Sequence, residues 1–146
     1  MKILLDEQTT IQFGSILRLL LTAHKVDHVQ DLSWKAKRDV DLLHDAKRRG
    51  YSVLVTNDRS QLSDPEETRA IRQSGLHHVT YKMPAVGGMK GLGRALGSVA
   101  AAMPLVVEQL EAASGQRLVS LTGVSGTLSE RCRIIDPRRD PPRYWR

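Results

Sequence analysis

Two short, largely apolar runs that end abruptly at carboxylates constrain this chain more than any other feature. Met1 to Leu5 stops at Asp6 and Glu7, and Tyr51 to Thr56 stops at Asn57 and Asp58. Runs of this kind belong to strands buried on both faces, the condition of a parallel sheet covered by helices. Between them the apolar spacing changes to that of helices. Ile11, Ile16, Leu17, Leu20 and Leu21 build one face behind a cap at Thr9 or Thr10, and carry a helix to about Ala23. Asp39 opens a second helix with Leu42, Leu43 and Ala46 on one side. Lys47, Arg48 and Arg49 suit its C-terminal dipole, and Gly50 suits its left-handed stop. Val26 to Leu32 reads as a strand between these helices, and a third helix from Pro65 to Gln73 closes at Gly75 before a fourth strand, His78 to Tyr81. The order βαβαβαβ predicts an α/β fold: a mostly parallel central sheet flanked by helices on both faces.

The rest of the chain carries weaker signals. Pro84 to Gly93 is glycine-rich but lacks the Gly-Lys-Ser/Thr ending of a phosphate loop, so it reads as a connector. A helix from Leu92 to Ala113, interrupted or kinked near Pro104, is expected to close at Gly115. Arg117 to Thr122 and Arg131 to Ile135 read as two edge strands joined through residues 123–126. This divides the chain into a domain over 1–115 and an extension over 116–146 that ends in an Arg- and Pro-rich tail. At 40% hydrophobic and 26% charged residues, the composition is that of a folded globular domain and excludes a disordered chain. The most apolar stretch, Ala95 to Val107, holds Ser98 and Pro104 and falls short of the roughly 18 residues of a membrane span. No secretory leader precedes Asp6, so a cytoplasmic protein without membrane contact is expected. The single cysteine, Cys132, excludes a disulfide scaffold and a zinc module.

Charge is concentrated at the end. Of the net +6, the last sixteen residues hold +4, through Arg131, Arg133, Arg138, Arg139, Arg143 and Arg146 against Asp136 and Asp140. With Tyr144 and Trp145 such a tail can touch phosphates and stack on bases, and its plainer reading is a solvated basic end.

The topology itself brings chemistry together. In open parallel sheets ligands bind beyond the carboxyl ends of the strands. Asp6 and Asp58 lie at two such ends, and Asp39, starting a helix that returns from that edge, points to the same place. Three converging carboxylates repel one another unless a cation sits among them, and oxygen-only donors suit magnesium or manganese. The expected chemistry is metal-assisted attack of water on a phosphodiester. Each acid also has an ordinary structural reading: Asp39 as a helix cap, Asp58 as an Asx turn, Asp6 as a strand end. Glu7 is expected to turn away from Asp6, because neighbouring residues at a strand end face opposite sides, and to support the site from outside. Asp41 and Asp45 read as surface charge.

Met-Lys-Ile-Leu-Leu-Asp-Glu-Gln at 1–8, Asp39 placed seven residues before Ala46 and eleven before Gly50, and Val-Leu-Val-Thr-Asn-Asp-Arg at 53–59 together resemble the PIN-like families. The resemblance covers roughly residues 1–82 and is greatest to short PIN-like proteins related to VapC-type toxins and the Mut7-C ribonuclease domain. It implies a PIN-like three-layer fold and a magnesium- or manganese-dependent ribonuclease, often the toxin of a type II toxin–antitoxin pair. By position, Asp6, Asp39 and Asp58 would be the catalytic, metal-binding acids, with Thr56 and Asn57 shaping the last turn. Lys35, Lys37, Arg38, Arg59, Arg138, Arg139 and Arg143 are the candidates for RNA contact. The partners expected are the RNA substrate, a cognate antitoxin protein and a second copy of the chain. Where these families continue Thr-Asn-Asp-Arg-Asp-Phe, the chain reads Thr-Asn-Asp-Arg-Ser-Gln at 56–61, so Ser60 stands where a fourth acid is usual; Asp64 follows at a different spacing. Besides the enzyme, two readings stay open: a PIN-like module that binds RNA or protein without catalysis, and a receiver-like domain built on Asp6, Glu7, Asp58 and Lys82.

Overall fold

A computed structural model describes residues 1–144, so Trp145 and Arg146, with the stacking and phosphate contact expected of them, lie outside the described residues. Strands β1 (Lys2–Leu5), β2 (Lys25–His28), β3 (Val53–Thr56), β4 (His77–Thr80) and β5 (Leu118–Ser120) form one sheet in the order β2-β1-β3-β4-β5. Every pairing is parallel, including that of the edge strand β5. Helices α1 (Ile11–Leu20), α2 (Asp39–Arg48), α3 (Pro65–Ser74) and α4 (Gly88–Glu111) cover the two faces.

The strand pleat decides which helix covers which face. Ile3, Leu5, Val53, Val55 and Val79 point to one side, where Phe13 and Leu17 of α1 and Ala95, Val99 and Met103 of α4 close over them. Leu4 and Leu54, one residue out of phase, point to the other, against Leu42, Leu43 and Ala46 of α2 and Ile71 of α3. Three layers result, and the central strands are buried on both sides, as their unbroken apolar runs require. No helix among the described residues is long and apolar enough to cross a membrane.

Local chemistry explains where elements stop short of their expected bounds. β2 ends at His28 rather than Leu32. The His28 ring accepts from the Gln30 N–H at 3.0 Å, and the Asp31 carboxylate accepts from the His28 N–H at 2.9 Å, so the backbone leaves the ladder for a 3₁₀ turn at Val29–Leu32. Helix α4 starts at Gly88, inside the stretch read as a connector. It runs unbroken through Pro104, whose exposed position leaves the missing N–H on the solvent side. Helix α3 has the firmest start: Asp64 Oδ1 accepts from the N–H groups of Glu66 and Glu67, both at 2.9 Å. Asp64→Ala is expected to cost about 1 kcal/mol, read from urea unfolding, and no loss would mean that α3 contributes little to the cooperative fold.

The second edge strand, expected over Arg131 to Ile135, does not form. Residues 123–126 are tied back onto α4, with Arg94 donating to the Val124 carbonyl at 3.2 Å and the Val124 N–H donating to Ser98 Oγ at 2.9 Å. The chain is thereby led away from β5 and makes a short helix, α5 (Leu128–Arg131), followed by an exposed segment. A turn in which Asp136 accepts from Arg138, Arg139 and Asp140 then leads into the prolines.

Candidate functional site

The sheet order places a crevice between β1 and β3. From β1 the chain moves outward to β2, and then crosses back to β3 on the other side; ligand sites in open α/β sheets sit at such reversals. Beyond the carboxyl ends of these two strands lies a narrow cleft of about 60 Å³, lined by Asp6, Glu7, Asp39 and Asp58 together with Trp34, Lys37 and Gln61. A larger hollow of about 520 Å³ between α4 and β5 is walled by Leu105, Leu110, Leu118 and Val119 and carries Arg117 but no acid.

Asp6 is the anchored member of the cleft, only 3% exposed. Its N–H donates to the Val55 carbonyl at 3.1 Å, which fixes the end of β1 to β3. Its Oδ1 accepts from the Thr9 N–H at 3.1 Å and from Thr9 Oγ1 at 3.2 Å. Thr9 is in turn held by Tyr81 and by His28, whose ring meets the Thr9 carbonyl at 2.6 Å. Burial pushes the Asp6 carboxyl up from 3.8 to about 6, against the lowering effect of hydrogen bonds from Thr56 and Thr9, and Asp39 adds repulsion.

Asp39 is the first residue of α2 and half-buried. Burial pushes its carboxyl up; contact with the Gln61 side chain favours the charged form, and repulsion by Asp58 and Glu7 opposes it. Asp58 stands at the end of the β3 turn, where its N–H donates to Thr56 Oγ1 at 2.9 Å. Its Oδ1 accepts from the Ser60 N–H at 2.9 Å and from Ser60 Oγ at 2.6 Å, so the Asx turn is real and shares the residue with the cleft. Ser60, in place of a further acid, is thus spent on holding Asp58. Asn57 is half-buried and outside the cleft lining.

Glu7 lies differently from its expectation. The pleat stops at Leu5, and a turn in which the Thr9 N–H donates to the Asp6 carbonyl brings Glu7 round to the same cleft as Asp6. Its Oε2 accepts from the Ala36 N–H at 3.0 Å, tethering the loop before α2. That loop holds Ala36 at φ 62° and Ser33 at φ 58°, a left-handed conformation that side chains disfavour.

The basic candidates separate. Lys37 lines the cleft but is ion-paired with Asp45 and lies 5.0 Å above the Trp34 ring, so Asp45 is not idle surface charge. Arg38 pairs with Glu66 at 3.6 Å, and Arg139 with Asp136 at 3.6 Å. Lys35, Arg59, Arg138 and Arg143 are exposed, the last 5.2 Å from the Tyr144 ring. Residues 131–144 contribute nothing to the cleft lining.

Among the described residues, no ion pair neutralises Asp6, Glu7, Asp39 or Asp58. Among the described residues, no group of three His, Cys, Asp or Glu side chains is placed to hold a metal ion either. The donors nevertheless fit a hard divalent cation in kind, being oxygen-only, mutually repelling and uncompensated. Residues 1–82 match the family described as PIN like domain. The chain belongs to the PIN-like domain family. No curated protein and no solved structure compared with it gives a match. PIN-like domains are usually nucleases and typically bind divalent metals. The receiver-like alternative falls with this assignment.

Two residues around the cleft escape a reading of the sequence. Glu67, in the first turn of α3, is pushed up by burial and then by repulsion from Asp39, Asp64 and Asp58, which places it within electrostatic reach of the cleft. Its signal was topological: α3, like α2, begins at the carboxyl edge. Gln61 lines the cleft from a 3₁₀ turn at Ser60–Ser63 and is 2% exposed. Only its neighbours in space reveal its role.

Proposed function

We propose that this PIN-like protein is a magnesium- or manganese-dependent ribonuclease whose metal-binding acids are Asp6, Asp39 and Asp58. The observation that carries this reading is the set of carboxylates from separate segments lining one cleft with no ion-paired cation among the described residues. A bound divalent ion supplies a water of lowered pKa and stabilises charge on the leaving oxygen. The chain's own residues do the remaining work. Asp6 is held by two hydrogen bonds from Thr9, and Asp39 reaches in from the start of α2. Lys35, Arg59 and the tail arginines Arg138 and Arg143 supply phosphate contacts, while Lys37, Arg38 and Arg139 serve first in their ion pairs. Glu7 and Glu67 add negative charge around the cleft, which favours cation uptake.

Cleavage of single-stranded RNA is expected with magnesium or manganese and is expected to stop in EDTA. Undiminished cleavage in EDTA would reject the metal role. A second reading, a PIN-like module that binds RNA or a protein without cutting, is favoured by one observation: Ser60 is committed to Asp58 where a further acid is usual. Binding without cleavage under any divalent ion would select it. The finer role, toxin of a type II pair, is supported by the resemblance to VapC-type toxins, and growth arrest relieved by the product of an adjacent gene would test it.

A further inference from the structure

Beneath the cleft lies a polar pair in a place where apolar side chains would pack more simply. Gln61 is 2% exposed and His78 is 1% exposed. His78 Nε2 and Gln61 Oε1 are 2.9 Å apart, joining the turn after β3 to the middle of β4. His78 alternates with Val79, so it faces the layer of α2 and α3, on the side from which Asp39 enters. His78 Nδ1 is buried without a hydrogen-bond partner among the described residues.

The chemistry of the three groups fixes one arrangement. An amide oxygen only accepts, so facing Gln61 Oε1 requires a proton on His78 Nε2 and leaves Nδ1 bare. The Gln61 amide N–H groups are then turned away from His78, toward the narrow cleft that Gln61 lines together with Asp39, whose charged form its side chain favours. The reversed amide would need His78 Nε2 as acceptor and would set an amide oxygen against a carboxylate. Asp39 and His78 therefore select the same orientation from opposite ends. Burying two polar side chains to no purpose is unfavourable, and here both termini of the chain of contacts are specified.

We propose that Gln61 and His78 are a positioning pair: the imidazole N–H locks the Gln61 amide, and the amide holds the Asp39 carboxylate toward the cleft. The role rests on the cation-binding reading of that cleft. It makes neither residue catalytic, since neither is asked to touch the substrate.

The test uses the full chain and manganese alone, by calorimetric titration. Gln61→Leu combined with His78→Leu removes both partners, a change that is nearly neutral for stability when the shape is kept. The melting temperature is expected to stay close to wild type while manganese affinity falls about tenfold, the loss typical of residues that orient metal ligands. His78→Gln, which keeps an N–H near the place of Nε2, is expected to retain wild-type affinity. The ¹⁵N spectrum of wild-type His78 is expected to show the Nε2–H tautomer. Tight manganese binding by the wild type with equal binding by the double variant overturns the pair and leaves the metal site standing. So does an Nδ1–H tautomer. No manganese binding by the wild type removes the metal site and the pair with it. Should the double variant not fold, Gln61→Met, which keeps side-chain length without the amide, is read in the same way.

Discussion

Asp39→Asn and Asp58→Asn are each expected to lower RNA cleavage by more than about 100-fold, beyond the upper end of what loss of a supporting residue costs at a metal site. In free energy this is upward of about 2.7 kcal/mol of lost transition-state stabilisation. The structure makes these substitutions clean. No side-chain cap bond is formed at the start of α2, so Asn at 39 removes charge without unseating the helix. At 58 the Asn carbonyl oxygen still accepts from Ser60, so the Asx turn survives while the carboxylate is lost. Circular dichroism should therefore change little and the melting temperature should not fall while turnover collapses. Glu111→Gln is the control, because Glu111 pairs with the N-terminus and His24 and is no part of the cleft lining. Cleavage by Asp39→Asn or Asp58→Asn within tenfold of wild type would reject the catalytic assignment.

The placement of these acids was legible because it follows from topology alone. Short strands buried on both faces leave little choice but a parallel sheet, and a parallel sheet sends every strand end and every returning helix start to one edge. What was not legible depended on contacts between distant residues. The direction of Glu7 turned on whether the pleat continues past Leu5, and it does not, because Thr9 closes a turn on Asp6. Gln61 became part of the site through His78, which lies in the next strand. Ile134 and Ile135 look like strand residues in isolation, being β-branched and apolar. The tether of Val124 to Ser98 carries the chain elsewhere, and both side chains remain exposed. Local pattern reports what a segment could do, and the tertiary contact decides whether it is done.

The cluster should also reveal itself in stability, with no RNA present. Asp6 takes up its proton near pH 6 in the folded chain, against 3.8 ordinarily. Between those values the folded state holds a proton that the unfolded state has released, so stability is lost as pH rises from about 4 to about 6 and stays lost above. The shift corresponds to about 3 kcal/mol. Asp6→Asn keeps an oxygen to accept from Thr9 and removes the buried charge. In EDTA at pH 7.5 it is expected to melt above the wild type, by roughly 6 to 12 °C for a chain of this size. At pH 4, where the wild-type carboxyl is already neutral in the folded state, the difference should nearly vanish. Comparing variant with wild type at each pH cancels the carboxylates that behave oppositely. Asp31, held low by its hydrogen bond from the His28 N–H, and Asp45, held low by Lys37, are two of these. Manganese at a hundred times its dissociation constant should then stabilise the wild type by about 2.7 kcal/mol and leave Asp6→Asn almost unmoved, narrowing or reversing the order of the two melting temperatures. An Asp6→Asn variant that melts below wild type in EDTA at pH 7.5, or a difference that stays flat from pH 4 to 7.5, would mean that Asp6 is a structural acid stabilised by Thr9 and not a charge held in wait for a cation.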